Sequence, residues 1–245
     1  TPVFSSEGTD FSVHLVRLQA ATNYSYIVLG TNREAEISIG PTGKFVTGDL
    51  PKILDEARFD VISGASTHDL TFLEFRQAGF MGLVAFDTNG RIVWYFEGPE
   101  DEQPYIMAQK PNRNIIYIAG HKGGTTGKGL VEINPLGEEI DRLIDECSPF
   151  GPIHHDIDIL QDGRVMYLSR DIQHPGYGVP PKPQEGDTIG IWDQSNNRND
   201  IVWNIFDYIS PSDRTVPDSN RTLPGNPVWG GCERDRNVQD WSHGE

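Results

Sequence analysis

The sequence predicts an all-β chain whose larger part is a partial β-propeller, and three observations carry that reading. Helical periodicity is almost absent: only residues 50–58 suit a short helical turn. Elsewhere the apolar runs are short, β-branched and bounded by turn residues. These runs pair into hairpins at a regular interval. Gly90 and Gly137 are 47 residues apart, and Asn112 and Asp162 are 50 apart. Repeats of about 40–50 residues, each two hairpins long, have the size of propeller blades.

The elements follow in chain order. Residues 11–18, 23–29 and 36–47 read as strands, the last interrupted at Gly40-Pro41. Beyond His68 the hairpins begin. Residues 82–87 turn through Thr88-Asn89-Gly90 into 91–96. Residues 105–110 turn through Pro111-Asn112-Arg113 into 114–119, and 129–134 turn through Pro135-Leu136-Gly137 into 138–144. Residues 153–160 turn through Gln161-Asp162-Gly163 into 164–169, and 188–193 lead through 194–199 into 200–206. Two Pro/Gly-rich stretches, 171–187 and 210–237, are long loops, a length often given to lids and rims.

Grouped this way, blades are expected at 68–98, 103–144 and 152–206, with a fourth opening near Val238. The domain plan is a short β domain at 1–50, a linker at 51–67 and the N-terminal half of a propeller at 68–245. A ring closes with roughly 4–8 blades. Three and a fraction leave open edges, so the rest of a propeller, a second chain or another copy of this one is expected to complete it. The chain starts at Thr1 with neither initiator Met nor signal peptide and stops at Glu245 inside an expected strand. It therefore reads as processed or fragmentary.

Composition narrows the partners. With 20 Lys and Arg against 36 Asp and Glu, the net charge is −16, which argues against nucleic acid and against anionic membrane surfaces. No stretch approaches about 20 apolar residues, so no transmembrane helix is expected. Asn23 and Asn220 head glycosylation sequons, Asn23-Tyr24-Ser25 and Asn220-Arg221-Thr222, which are either used or idle. Acidity, sequons and two cysteines together lean towards a secreted, periplasmic or otherwise extracellular protein.

Asp87–Trp94 reads as a hairpin with an Asn-Gly turn, its Trp packed between blades, and Trp203 recurs at an equivalent place. Gly123-Gly124-Thr125-Thr126-Gly127-Lys128-Gly129 is not a phosphate loop: Lys122 and Gly129 stand where Gly and Ser or Thr are needed, and no helix follows. The most unusual segment is Ile153-His154-His155-Asp156-Ile157-Asp158-Ile159-Leu160. Strict alternation puts His155, Ile157 and Ile159 on one face and His154, Asp156 and Asp158 on the other. Two readings stay open. The histidines are either hydrogen-bonded between blades, or delivered by a strand start to the propeller's central mouth. A metal site would use His154 and Asp156, but the ligand set is incomplete, and neither metal nor organic cofactor is expected. Asp240-Trp241-Ser242-His243 opens the next blade, so His243 would enter the same mouth. Cys147 and Cys232 precede the His154 and Trp241 strands at matching places, and they are either bridged or two free thiols.

Two resemblances add to this. The stretch from Leu18 to Val28, with Thr22, Tyr24 and Tyr26 in alternation, resembles the tyrosine corner of fibronectin type III domains, with Ala20 where that family has Pro. Phe45-Val46-Thr47 resembles the last strand of such a domain. The implied fold for residues 1–50 is the C-terminal part of an Ig or fibronectin III-like β-sandwich, its final three strands. The double His followed by Leu160-Gln161-Asp162-Gly163-Arg164-Val165 resembles the HHD…LPNG strand of arylsulfotransferases, the PAPS-independent aryl sulfate sulfotransferases. Asp240-Trp241-Ser242-His243 resembles that family's DWxHxN motif, 89 residues on from His154. The resemblance implies a propeller of about six blades. It also implies a site at the propeller's centre, with aryl sulfates and phenols as small-molecule partners. A histidine there takes the sulfuryl group from a phenolic sulfate ester and passes it to a phenol. His154, His155 and His243 are the catalytic candidates it implies. Glu245 departs from the expected Asn, and a carboxylate repels sulfate. The family's Arg and nucleophilic His would lie beyond Glu245, so this chain alone is expected to be inactive.

The residue types suit that chemistry. Sulfuryl transfer moves a group with anionic oxygens and needs donors aimed at them, and imidazole serves as donor, acid, base or nucleophile near neutral pH. The competing reading is a non-catalytic propeller for binding or adhesion, with a degenerate site. A quinone-dependent dehydrogenase propeller is disfavoured, because its calcium-binding set and its tryptophan-docking pattern in every blade are not found.

Overall fold

The computed structural model describes residues 13–32, 34–57, 59, 69–121, 127–144, 153–173 and 184–208. Over these residues the protein is all-β, built of antiparallel sheets of which none closes on itself. It divides into two compact units, Thr1–Pro104 and Tyr105–Glu245.

In the first unit, β1 (Asn23–Thr31) and β2 (Ile37–Val46) form a two-stranded hairpin. Tyr24 lies opposite Phe45, and their rings stack with centroids 5.5 Å apart. The Tyr24 hydroxyl accepts a hydrogen bond from the Gln19 backbone N–H at 2.8 Å. Thr47 Oγ1 donates to the Gln19 carbonyl at 2.5 Å, so the incoming chain is tied down at one corner. Two expectations are corrected here. Residues 13–18 form no strand, because Arg17 and then Ala21 take left-handed backbone angles, φ 64° and 47°, which break an extended run. Gly40-Pro41 does not interrupt β2. The ladder passes from Ile27↔Thr42 to Leu29↔Ile39, so two residues bulge opposite Val28, and the Pro without an N–H falls where no ladder bond is required.

The expected helical turn is α1 (Lys52–Asp55). Its Leu54 is buried against Phe80, Val84, Phe86 and Ile92. Those residues belong to a three-stranded sheet of β3 (Leu70–Gln77), β4 (Phe80–Asp87) and β5 (Ile92–Glu97), with β4 central. Leu83, Val84 and Ala85 are wholly buried, so both faces of β4 are covered, which explains its unbroken apolar run. Trp94 lies edge-on to Phe72 of the same sheet. Where the sequence suggested four strands in this repeat, the described residues form three.

The second arrangement is two antiparallel meanders of four strands. The first runs β6 (Glu102–Gln109), β7 (Ile115–His121), β8 (Gly127–Ile133) and β9 (Glu139–Ile144). The second runs β10 (Ile153–Ile159), β11 (Val165–Gln173), β12 (Gln184–Asp193) and β13 (Arg198–Asn204). One bridge, Ile153↔Gly127, joins them. They share a core of Tyr105, Ile116, Ile118, Leu130, Ile153, Ile157, Val165, Tyr167 and Trp192.

The hairpin turns repeat one chemical solution. Asp87, Asn112, Asn134 and Asp162 each accept, through the side-chain oxygen, a backbone N–H two residues on. The turn then closes through a left-handed residue: Gly90, Arg113, Gly137 or Gly163. This is the type I turn with a left-handed bulge, where Gly carries no Cβ penalty.

A buried polar cluster ties the two meanders together. Glu132 on β8 accepts from Lys110 Nζ at 2.9 Å, Asn114 Nδ2 at 2.5 Å and Gln194 Nε2 at 2.6 Å. Lys110 also donates to Gln194 Oε1 at 2.7 Å, reaching the turn that follows β12. Both oxygens of this carboxylate thereby accept, Oε1 from Asn114 and Oε2 from Lys110 and Gln194.

Candidate functional site

The double histidine begins β10, the strand by which the second meander meets the first. Ile153 and Ile157 anchor it in the shared core. Strict alternation put His155 with Ile157, and the structure corrects this. Ile153 pairs with Ser169 and Ile157 with Tyr167, so four steps along β10 span two along β11. His155 takes φ 53° within this bulge. The outcome is that His154 is buried and His155 is exposed. Bulges re-aim side chains in this way. Ile106 on β6 has the same left-handed angle, φ 43°, and its neighbour Tyr105 is buried like His154. The first strand of each meander thus holds one left-handed residue beside a buried ring, and only the second carries imidazoles there.

His154 is 5% exposed, and among the described residues neither Nδ1 nor Nε2 has a hydrogen-bond partner. Its ring meets that of His155 edge-on at 5.1 Å. Asp187 Oδ1 on β12 stands 3.4 Å from Nε2, longer than a formed N–H···O bond. Arg170 on β11 is the cross-strand partner of Asp187. One residue along, Ser169 and Thr188 share a buried hydroxyl–hydroxyl bond of 2.6 Å, which links β11 to β12. Burial, and after it the Arg170 charge, pushes the His154 pKa below that of a free imidazole, while Asp187 opposes them. The ring is therefore neutral at neutral pH.

Arg170 and Asp187 were not singled out from the sequence. They are 17 residues apart in the chain and meet His154 only through the register of three strands. The other candidates are spread. Asn23 is exposed at the start of β1. His243, Cys147, Cys232 and Asn220 lie outside the described residues, so the disulfide and the convergence of His243 stay expectations. Among the described residues no group of three or more His, Cys, Asp and Glu is arranged to hold a metal. No helix there is long and apolar enough to cross a membrane.

A buried imidazole at the start of β10, acted on by the Arg170 guanidinium of the neighbouring strand β11, is an arrangement suited to an anionic group. The sequence model of the family described as Arylsulfotransferase (ASST) matches residues 60–244, and the chain belongs to that family. Membership supports a sulfotransferase-like function. No curated protein matches the chain.

Proposed function

We propose that the protein transfers a sulfuryl group from a phenolic sulfate ester to a phenol through a histidine. In this reading the two meanders and the three-stranded sheet are successive blades of a propeller. Their inner strands face its axis, and β1–β2 ends a fibronectin III-like sandwich before it. The observation that carries the reading is His154, a buried imidazole without a hydrogen-bond partner among the described residues, beside Arg170 in a chain of this family. An unpaired buried polar atom is unfavourable by about 1–3 kcal/mol, and a bound sulfuryl oxygen or phenol would satisfy it. Arg170 supplies the positive charge that an acidic protein must concentrate at such a site. His155, and His243 from the next blade, complete the set of imidazoles in this proposal. A Cys147–Cys232 bridge would hold the strands that carry them, in an exported protein glycosylated at Asn23 and Asn220.

The carboxylate at 245, two residues after His243, favours a second reading, a non-catalytic binding propeller with a degenerate site. One assay separates them. Full-length protein is given 4-nitrophenyl sulfate with phenol as acceptor, and phenyl sulfate and 4-nitrophenol are measured. Transfer supports the enzyme. Binding of the sulfate ester without transfer supports the binding module.

A further inference from the structure

We propose that Asp187 is the positioning residue of this site: its carboxylate engages Nε2–H of His154, fixing that tautomer and leaving Nδ1 with the free lone pair. The inference rests on the proposed function for its role in turnover, but the contact itself is a matter of geometry. Asp187 Oδ1 is 3.4 Å from Nε2. Among the described residues neither ring nitrogen has a hydrogen-bond partner. The gap exceeds a formed bond by a few tenths of an ångström. Hydrogen bonds in unliganded sites are often long and tighten when the substrate binds. Asp187 has the freedom to close it, because its side chain is 67% exposed while that of His154 is 6% exposed.

The backbone around the pair is rigid. Ile153↔Ser169 and the nine-pair ladder of β11 with β12 hold the three strands in register. The buried Ser169–Thr188 bond lies one residue from both Arg170 and Asp187. The mobile part is therefore the carboxylate, which swings onto a fixed ring.

A histidine's reactive nitrogen is chosen by the hydrogen bond its other nitrogen makes. With Nε2–H held by Asp187, neutral Nδ1 accepts a proton, and when the ring is protonated Nδ1–H donates to an anionic oxygen. The charged and titratable groups acting on the ring are Arg170 on β11, Asp187 on β12 and His155 on its own strand. Burial lowers the His154 pKa most, and Arg170 and His155 lower it further. Asp187 and, less, the Ser169 backbone oppose them, so Asp187 is the one charged group of the three that favours the protonated ring. His155 is the exposed member of the pair, turned away by its left-handed backbone.

The test is made on the full-length protein, with nitrogen-15 spectra that distinguish the two imidazole tautomers. Wild type is expected to show His154 as the Nε2–H form. Asp187→Ala should lose that preference and titrate at lower pH, and Asp187→Glu should restore both. With 4-nitrophenyl sulfate and phenol, kcat should fall roughly tenfold in Asp187→Ala with KM held, as for loss of a group that orients a working imidazole. An unchanged tautomer and titration in Asp187→Ala would overturn the proposal whatever the activity does. Altered spectra in a protein whose wild type transfers no sulfuryl group would uphold the contact and overturn the proposed function instead. Asp187 is exposed and outside the core, so circular dichroism should report the native fold in both variants.

Discussion

Lys110→Met tests how the two meanders are held together. The Glu132 side chain is 4% exposed and Lys110 is 14% exposed, so their ion pair is screened little by water. Removing one partner of a buried pair destabilises by about 3–5 kcal/mol, because the remaining charge is left uncompensated. Here Asn114 and Gln194 still donate to the carboxylate, so the lower end, about 3 kcal/mol, applies. For a chain of this size each kcal/mol moves the midpoint by about 2–4 °C, so thermal unfolding should come about 6–12 °C earlier. Adding Glu132→Gln to Lys110→Met should recover part of the loss, since no buried charge then stands alone. The pH dependence follows from the same contacts. Burial alone would raise the Glu132 pKa, but hydrogen bonds from Asn114, Lys110 and Gln194 outweigh it and hold it below 4.5. A depressed carboxyl contributes in full above its unfolded value, and that contribution is lost as pH falls below about 4.5 through the folded value. Lys110→Met should shrink this acid loss. Calorimetry at pH 7 and pH 4 reads both effects. A Lys110→Met protein within about 0.5 kcal/mol of wild type, the range of ordinary surface changes, would refute the reasoning.

Two further outcomes are expected. His154 has a folded pKa below 6.5, so its contribution to stability is complete above that value and is lost as pH falls through the folded one. Urea unfolding at pH 7.5 and 5.5 should therefore show wild type losing more stability on acidification than His154→Leu; equal losses would contradict the assigned direction. Gly190→Ala drives a Cβ into the Tyr167 ring, whose hydroxyl donates to Asn199 Oδ1 at 2.7 Å. It should destabilise the second meander by about 1–3 kcal/mol, the range for overpacking, and a neutral result in chemical unfolding would mean the ring yields freely.

The hairpins were legible because their turns are written in residue types. An Asp or Asn three residues before a left-handed Gly marks a type I turn with a bulge, and two of the four repeated turns carry that pair, Asp87 with Gly90 and Asn134 with Gly137. The meander limits, 102–144 and 153–204, follow from those turns and differ from the expected ones by one or two residues. The bulge at His155 was not legible. Gly or Asn usually marks a left-handed position, and here a histidine holds it, so alternation put the wrong imidazole in the core. Gly40-Pro41 misled in the opposite sense, because the two residues form a bulge within β2 and the ladder resumes beyond them. Arg170, Asp187 and the contact of Lys110 with Gln194, 84 residues apart, depend on register between strands, which a single chain's pattern does not encode.

The central claim is that His154 serves sulfuryl transfer. Its most direct test is the rate at which full-length wild type and His154→Ala move the sulfuryl group from 4-nitrophenyl sulfate to phenol. Phenyl sulfate is the product to quantify, and circular dichroism confirms the fold of each. The account predicts transfer by wild type and a loss of about 100-fold or more in His154→Ala, the scale for removing one group that stabilises a developing oxyanion. Wild-type rates in a folded His154→Ala protein would contradict it.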